Sequence, residues 1–359
     1  MLKVLFAGFK YEYGRPSWGL SHIEYQNFFG TLRQMPNLAA SFFAVDEIML
    51  KDGREEMNRQ LIAQVQELKP DLLFTMIFQE EIRKETVKFI TQKINTKTFN
   101  WFTDDHWRLP VFSRYFAPLF TAVGTTDSQA PEKYRALGIT NVLKTQWGVN
   151  HYLYQPVGKS ENRKIGNYDI TFVGKNYGKR GGYIKNLQKQ NLPAVGFGKG
   201  WESGTVDFRK MLEIFSFSKV NLNFTESPYM TVGGRAKVVA KLFVKKELGQ
   251  YKFDAHHIVD NFKSALGTQR RQIKGRTFEV PACGGFLLTG DADNLADYYI
   301  PGKEIAVFKN KQDLVERCKY YLSHEEERQT IAKAGFERTI KEHTYEHRFK
   351  EIFKAMGLM

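Results

Sequence analysis

Short apolar runs separated by amphipathic or glycine-bearing stretches recur along the whole chain, and the series breaks once, at a polar basic stretch, before it restarts. That alternation is what a parallel α/β sheet demands, with strands buried on both faces and helices laid over them. Leu2 to Ala7 reads as the first strand and "YEYGRPSWGLS" as a loop. Ser21 then caps a helix in which Ile23, Phe28, Leu32 and Met35 recur at helical spacing. "GREEMNRQLIAQVQELK" is a second helix, "PDLLFTMIF", "TKTFNWFT" and "FTAVGTT" are strands, and "NVLKTQWGVN" closes the series. The linker candidate is "PVGKSENRKIGNY". Beyond it "YDITFVGK", "LPAVGFGKGW", "KVNLNFTES" and "FLLTGD" read as strands, "GRTFEVPACGG" as a helix and tight turn, and the C-terminus as a short strand with two or three helices.

Two such series in 359 residues predict an α/β protein of two Rossmann-like domains facing across a cleft, 1–155 and 156–340, with ligands at the carboxyl ends of the strands. No run approaches the roughly 18 apolar residues that span a bilayer. The N-terminal run is short for a signal core and lacks a cleavage site, so a cytoplasmic chain without a transmembrane segment is expected. Cys283 and Cys318 form no CxxC pair, against a disulfide framework and a structural zinc site. The outlier is a net charge of +14. It points to a polyanionic partner: nucleic acid, an anionic membrane surface or a phosphate-bearing ligand. Half of it lies between 228 and 274, where ten basic residues face three acidic ones, a net +7.

Two strand-to-loop transitions suit an anionic ligand. "FVGKNYGKRGG" interleaves Gly174, Gly178, Gly181 and Gly182 with Lys175, Lys179 and Arg180: glycines admit close approach of backbone N–H groups, and the cations neutralise charge. It is neither a GxGxxG fingerprint nor a Walker A loop, and a solvated basic turn is the plain alternative. "VGFGKGW", with Gly198 and Trp201, either admits a flat base beside its backbone or is a simple turn. In a short helix from Lys274 to Cys283, Arg276 and Glu279 share a face, so one turn could hold a phosphate on the guanidinium and a ribose diol on the carboxylate. A surface ion pair is the alternative. Against it, Glu279 stands among Phe278, Val280 and Ala282, where an idle charge is costly. Gly284 and Gly285 turn the chain into the next strand and, with Lys274, complete the candidate donor set.

From "QIKGRTFEVPACGGFLLT" to the C-terminal "FERTIKEHTYEHRFKEIF", the sequence closely resembles the CgeB-like glycosyltransferases, which belong with the large retaining GT-B enzymes that use nucleotide sugars. "WGVNHYLYQP" and "YDITFVGKNYGKR" share the resemblance, and "YGRPSWGLSHIEYQNF" does so more weakly. It implies the GT-B fold, a C-terminal helix over 341–359 packing back on the N-terminal domain, a donor expected to be UDP-linked, retention of configuration and no metal or other cofactor. It places Glu279 at the second glutamate of the family's paired motif, the one expected to hold the donor ribose, and Lys175, Arg180 and Arg276 at the diphosphate. Arg271 stands where the first glutamate belongs, the position that would recognise the donor sugar's hydroxyls.

On the acceptor side, "FNWFTDDHWRLP" ends a strand with carboxylates and an imidazole between tryptophans. Asp105 and His106 are the candidates to take the acceptor's proton, a helix cap within an aromatic core being the alternative. Gly14 and Ser17 of the first loop join the acceptor set through the resemblance. Lys237, Lys241 and Lys245 of the insertion 228–270 join it from their own pattern: steps of four predict a basic amphipathic helix over "GRAKVVAKLFVKKELGQYK", leading from a strand end beside the donor site, with a solvated lysine face the alternative. Two acceptor classes fit: nucleic acid such as a hydroxylated base in DNA, or a glycan or protein near an anionic surface. A non-catalytic nucleotide-binding protein with a structural or spore-coat-type role is the competing function, and Arg271 is the feature that favours it.

Overall fold

The computed structural model describes residues 1–158, 168–227 and 258–359, with the backbone of 244–247 and 250–253. The chain forms two compact units. The first comprises 1–146, 239–267 and 345–359, the second 147–238 and 268–344.

In the first unit six parallel strands, β1 (Leu2–Gly8), β2 (Leu38–Ala44), β3 (Leu72–Thr75), β4 (Lys97–Phe102), β5 (Ala122–Thr125) and β6 (Val142–Lys144), stand in the order β2-β1-β3-β4-β5-β6. The central β3 is buried at every position, which is why its sequence is a continuous apolar run. One face of the sheet packs Leu5, Leu73 and Val123 against Met57, Leu61 and Val65 of the helix Val45–Leu68. The other carries an aromatic cluster: Phe28 lies 4.8 Å from Trp101 and 5.4 Å from Phe349 between ring centroids. Phe349 comes from the terminal helix Tyr345–Ala355, so the last helix does pack on the first unit. The Ser21 hydroxyl accepts the Glu24 N–H at 3.2 Å and caps the helical segment His22–Phe29 as expected.

The second unit carries β7 (Ile170–Val173), β8 (Ala194–Phe197) and β9 (Val220–Asn223). In chain order there follow a separate antiparallel hairpin of β10 (Val244–Glu247) and β11 (Gln250–Phe253), then β12 (Leu287–Gly290) and β13 (Ala306–Phe308). The unit's sheet is parallel throughout in the order β13-β12-β9-β7-β8. Leu222, Leu288 and Ala306 pack against Leu314 and Cys318 on one face, and Val173, Leu287 and Phe278 against Ile214 on the other. Cys283 and Cys318 are buried free thiols, each held up at about 12 by burial.

The basic insertion departs from expectation. Lys237 and Lys241 lie outside the described residues, as does most of the linker, 159–167. Lys245 sits in β10, so the helix expected to run to Lys252 is replaced over its last part by a hairpin. The reason is arithmetic: a spacing of four residues is also an even number, so lysines at that spacing fall on one face of a strand as readily as of a helix. The helix Ile258–Gly267 that follows belongs to the first unit. Among the described residues no helix is long and apolar enough to cross a membrane.

Candidate functional site

Open parallel sheets bind ligands beyond the carboxyl ends of their strands, where the strand order reverses. In the second unit that point lies between β7, which has β8 on one side, and β9 on the other. Two guanidinium groups reach it. Arg180, the first residue of the helix Arg180–Lys189, donates Nη1 to the Lys175 carbonyl at 2.9 Å and Nη2 to the Phe224 carbonyl at 3.4 Å. It thereby ties the loop after β7 to the loop after β9. Its side chain is packed on the Tyr177 ring at 3.8 Å and near Phe172 at 5.0 Å, and the residue is only 9% exposed. Among the described residues no carboxylate pairs with it, and its Nε is buried without a hydrogen-bond partner. Burial lowers its pKa, as does the nearby charge of Arg276, while Tyr177 opposes the shift.

Arg276 opens the helix Arg276–Ala282 and donates Nε to the carbonyl of Val173, the last residue of β7, at 3.2 Å. Its Nη1 pairs with Glu279 Oε2 and its guanidinium lies 5.3 Å from the Phe215 ring. Every residue from Thr277 to Ala282 is buried, so the apolar sequence around Glu279 is the helix's own core contact. The carboxylate escapes that core by folding back to the helix start: a Cβ built on Gly275 would stand 3.1 Å from Glu279 Oε1. Lys274, half-buried, immediately precedes this turn. Gly284 and Gly285 lie about 12 Å away at the other end of the helix. There Gly284, at φ +71°, and the bond from Gly285 N–H to the Val280 carbonyl (3.1 Å) end the helix. The structure gives them a turning role remote from the guanidinium pair.

The glycine loops after β7 and β8 are built against each other. Gly174 N–H donates to the Phe197 carbonyl at 2.8 Å, and a Cβ on Gly198 (φ +123°) would come within 2.6 Å of the Gly174 carbonyl. Trp201 donates its indole N–H to that same carbonyl at 2.8 Å and covers Gly196. Its ring thus braces the loop from beneath. Lys175 and Lys179 are exposed on the rim. Sequence reasoning missed the carboxylate beside Arg271. Glu226, which follows β9, accepts the Tyr183 hydroxyl at 3.1 Å and lies 3.5 Å from Arg271 Nη2. Its strand-end position in "NLNFTES" was the available signal.

The equivalent reversal in the first unit lies between β1 and β3 and has the opposite charge. Asp46 accepts the Lys10 and Tyr11 N–H groups at 2.9 Å each, Glu81 accepts those of Phe78 and Gln79 at 3.0 and 2.7 Å, and Glu24 accepts that of Phe9. All three are buried, and desolvation raises the pKa of Glu81 and pushes that of Glu24 well above the carboxylate range. Gly14 (φ +68°) packs against Asp46, and Ser17 is exposed in the Pro16–Trp18 turn. Asp105 points inward: 1% exposed, it accepts the Tyr134 hydroxyl at 3.0 Å. Burial raises its pKa to about 6 against the opposing pull of the Ser113, Thr125 and Tyr134 hydroxyls. His106 is buried beside it, with its carbonyl covered by Gly267.

Two Rossmann-like units with parallel sheets make up a GT-B fold, and residues 245–354 match a family model described as glycosyl transferase-like. The resemblance to the CgeB-like proteins also stands: over 323 residues, 87% of this chain and 90% of the relative, the sequence is 23% identical to the spore protein CgeB of Bacillus subtilis (strain 168). Solved structures show the same fold. The HepE protein of Anabaena, in complex with UDP and glucose, superposes with a TM-score of 0.63 at 10% identity, covering 100% of both chains. The sucrose-phosphate synthase of Thermosynechococcus elongatus gives 0.61 at 11% identity, covering 99% of this chain and 100% of its own.

Proposed function

We propose that the protein transfers a sugar from a nucleotide diphosphate donor, UDP-linked, to a hydroxyl-bearing acceptor, with the donor at the strand reversal of the second unit. The carrying observation is the buried Arg180 guanidinium, without a carboxylate partner among the described residues, beside Arg276. An uncompensated buried cation is costly, and a diphosphate supplies the missing charge. As the bond from the anomeric carbon to the diphosphate breaks, negative charge grows on the leaving phosphate, and fixed guanidinium groups stabilise it without rearranging. That device serves a metal-independent reaction. Glu279, with one oxygen on Arg276 and the other near Gly275, offers an acceptor to the ribose hydroxyls. Retention of configuration is proposed from the CgeB-like resemblance.

Lys175 remains the exposed cation of the same loop. Asp105, its pKa raised by burial to about 6, and its neighbour His106 are the proposed takers of the acceptor's proton. Calorimetry with UDP, UMP and uridine tests the donor assignment: affinity is expected to rise steeply with each phosphate, and equal affinity for UDP and uridine would remove the diphosphate from the site. Release of UDP from a panel of UDP-sugars then separates an enzyme from a nucleotide-binding protein without turnover.

A further inference from the structure

The helix Ile258–Gly267 is amphipathic with its faces reversed. On a helical wheel Ile258, Val259, Phe262 and Leu266 occupy one arc of about 100°, and a soluble protein turns such an arc inward. Here it faces out: the four residues are 39%, 66%, 53% and 57% exposed. The small and polar face is the one attached to the protein. Asp260 receives Arg114 Nη2 at 2.7 Å and Nη1 at 3.3 Å, and a Cβ on Gly267 would lie 1.8 Å from the His106 carbonyl, so that end of the helix admits only glycine. The helix is therefore held from its polar side with its apolar side presented.

The surroundings of the arc are cationic and aromatic. Lys263 is exposed on its flank. Tyr115, 39% exposed, accepts Arg114 Nη2 at 2.6 Å and lies under Lys84 Nζ at 5.4 Å. We propose that this face docks the protein on an anionic lipid bilayer, with Val259, Phe262 and Leu266 entering the boundary between headgroups and acyl chains and the basic residues meeting the lipid charge. The cations alone would equally suit nucleic acid, but phosphates offer nothing to three outward apolar side chains, whereas a bilayer uses both. The proposal is independent of the donor assignment.

Sedimentation of the full chain with phosphatidylcholine vesicles, with and without phosphatidylglycerol, is the test. Binding is expected only with the anionic lipid, weakened about tenfold or more by Phe262→Ser with Leu266→Ser. Lys263→Glu should weaken it by less and mainly at low salt. Because the substituted side chains point outward, the thermal midpoint should hold, and Val259→Trp should give a blue-shifted fluorescence on vesicles. No binding to anionic vesicles overturns the proposal, as does binding indifferent to the serine pair. So does light scattering that shows the face pairing two copies of the chain, or binding to duplex DNA in place of vesicles.

Discussion

The two strand reversals share a topology and differ in charge. Beyond β1 and β3 the first unit places Glu24, Asp46 and Glu81, each taken up by main-chain N–H groups. Beyond β7 and β9 the second places Arg180 and Arg276, each taken up in part by main-chain carbonyls. The same backbone position thus serves as an acceptor-rich surface in one unit and a donor-rich surface in the other. Carboxylates repel a diphosphate and guanidinium groups attract one, so the contrast in charge is what favours the second reversal for the proposed donor where the fold alone does not decide. Each polar set is also structural, since it stitches together the loops that follow two strands.

The comparison breaks first at Arg180. Replacing it by Met should cost at least a hundredfold in UDP affinity by calorimetry, because the site loses its buried uncompensated charge and two loop ties together. Arg180→Lys keeps the charge without the fork and should recover only part. The counterpart Glu24→Gln should leave UDP affinity unchanged. Equal losses at both sites would show that the effect is one of stability, and the contrast in charge would then carry no functional meaning.

Glu279 comes next. Glu279→Ala removes the partner of Arg276 and the proposed ribose acceptor, and a loss of about ten- to a hundredfold in UDP affinity is expected with the fold intact. Uridine should lose as large a factor as UDP, whereas Arg180→Met should spare uridine. If Glu279→Ala spares uridine as well, the carboxylate serves only to position Arg276.

What was legible in the sequence follows from burial. Strands covered on both faces announce themselves, as β3 and β12 do with every residue buried. The edge strand β2 went unread: only Leu38 and Phe43 of its seven residues are buried, and "LAASFFA" lacks the continuous run that marks a central strand. Around the site, Arg276 with Glu279 was legible because a spacing of three within one helix fixes a shared face. Glu24, Asp46 and Glu81 were not, because what gathers them is parallel pairing between strands distant in sequence, and no local spacing encodes that. For Asp105 both alternatives were visible, and its inward bond to Tyr134 depends on a residue 29 positions away.

A smaller effect separates the units by pH. Asp105 is raised from about 3.8 unfolded to about 6 folded, so the folded state binds the proton more tightly. Its contribution to stability is complete below the lower value and is lost as pH rises through the upper one. Asp105→Asn should therefore flatten the stability profile between about pH 4 and 6 by on the order of 1 kcal/mol or more, read from urea midpoints. Glu24 acts in the same direction, and Glu24→Gln should stabilise at neutral pH while leaving Asp105's window in place. Neither change should move the pH dependence of UDP binding, which belongs to the phosphates and the guanidinium pair. A shift in that profile would mean that the carboxylates of the first unit sense the donor.

The smallest effect tests how Arg180 is held. Its guanidinium lies 3.8 Å from the Tyr177 ring centroid, and a cation over an aromatic face gains roughly 0.5–2 kcal/mol depending on desolvation. Tyr177→Leu keeps apolar cover over the group and removes that attraction, so UDP affinity should fall about 2- to 10-fold. Tyr177→Phe keeps the ring and should bind like the wild type. A large loss on Tyr177→Phe would relocate the importance of Tyr177 to its hydroxyl, and the ring would no longer count as the element that presents a buried cation to the donor.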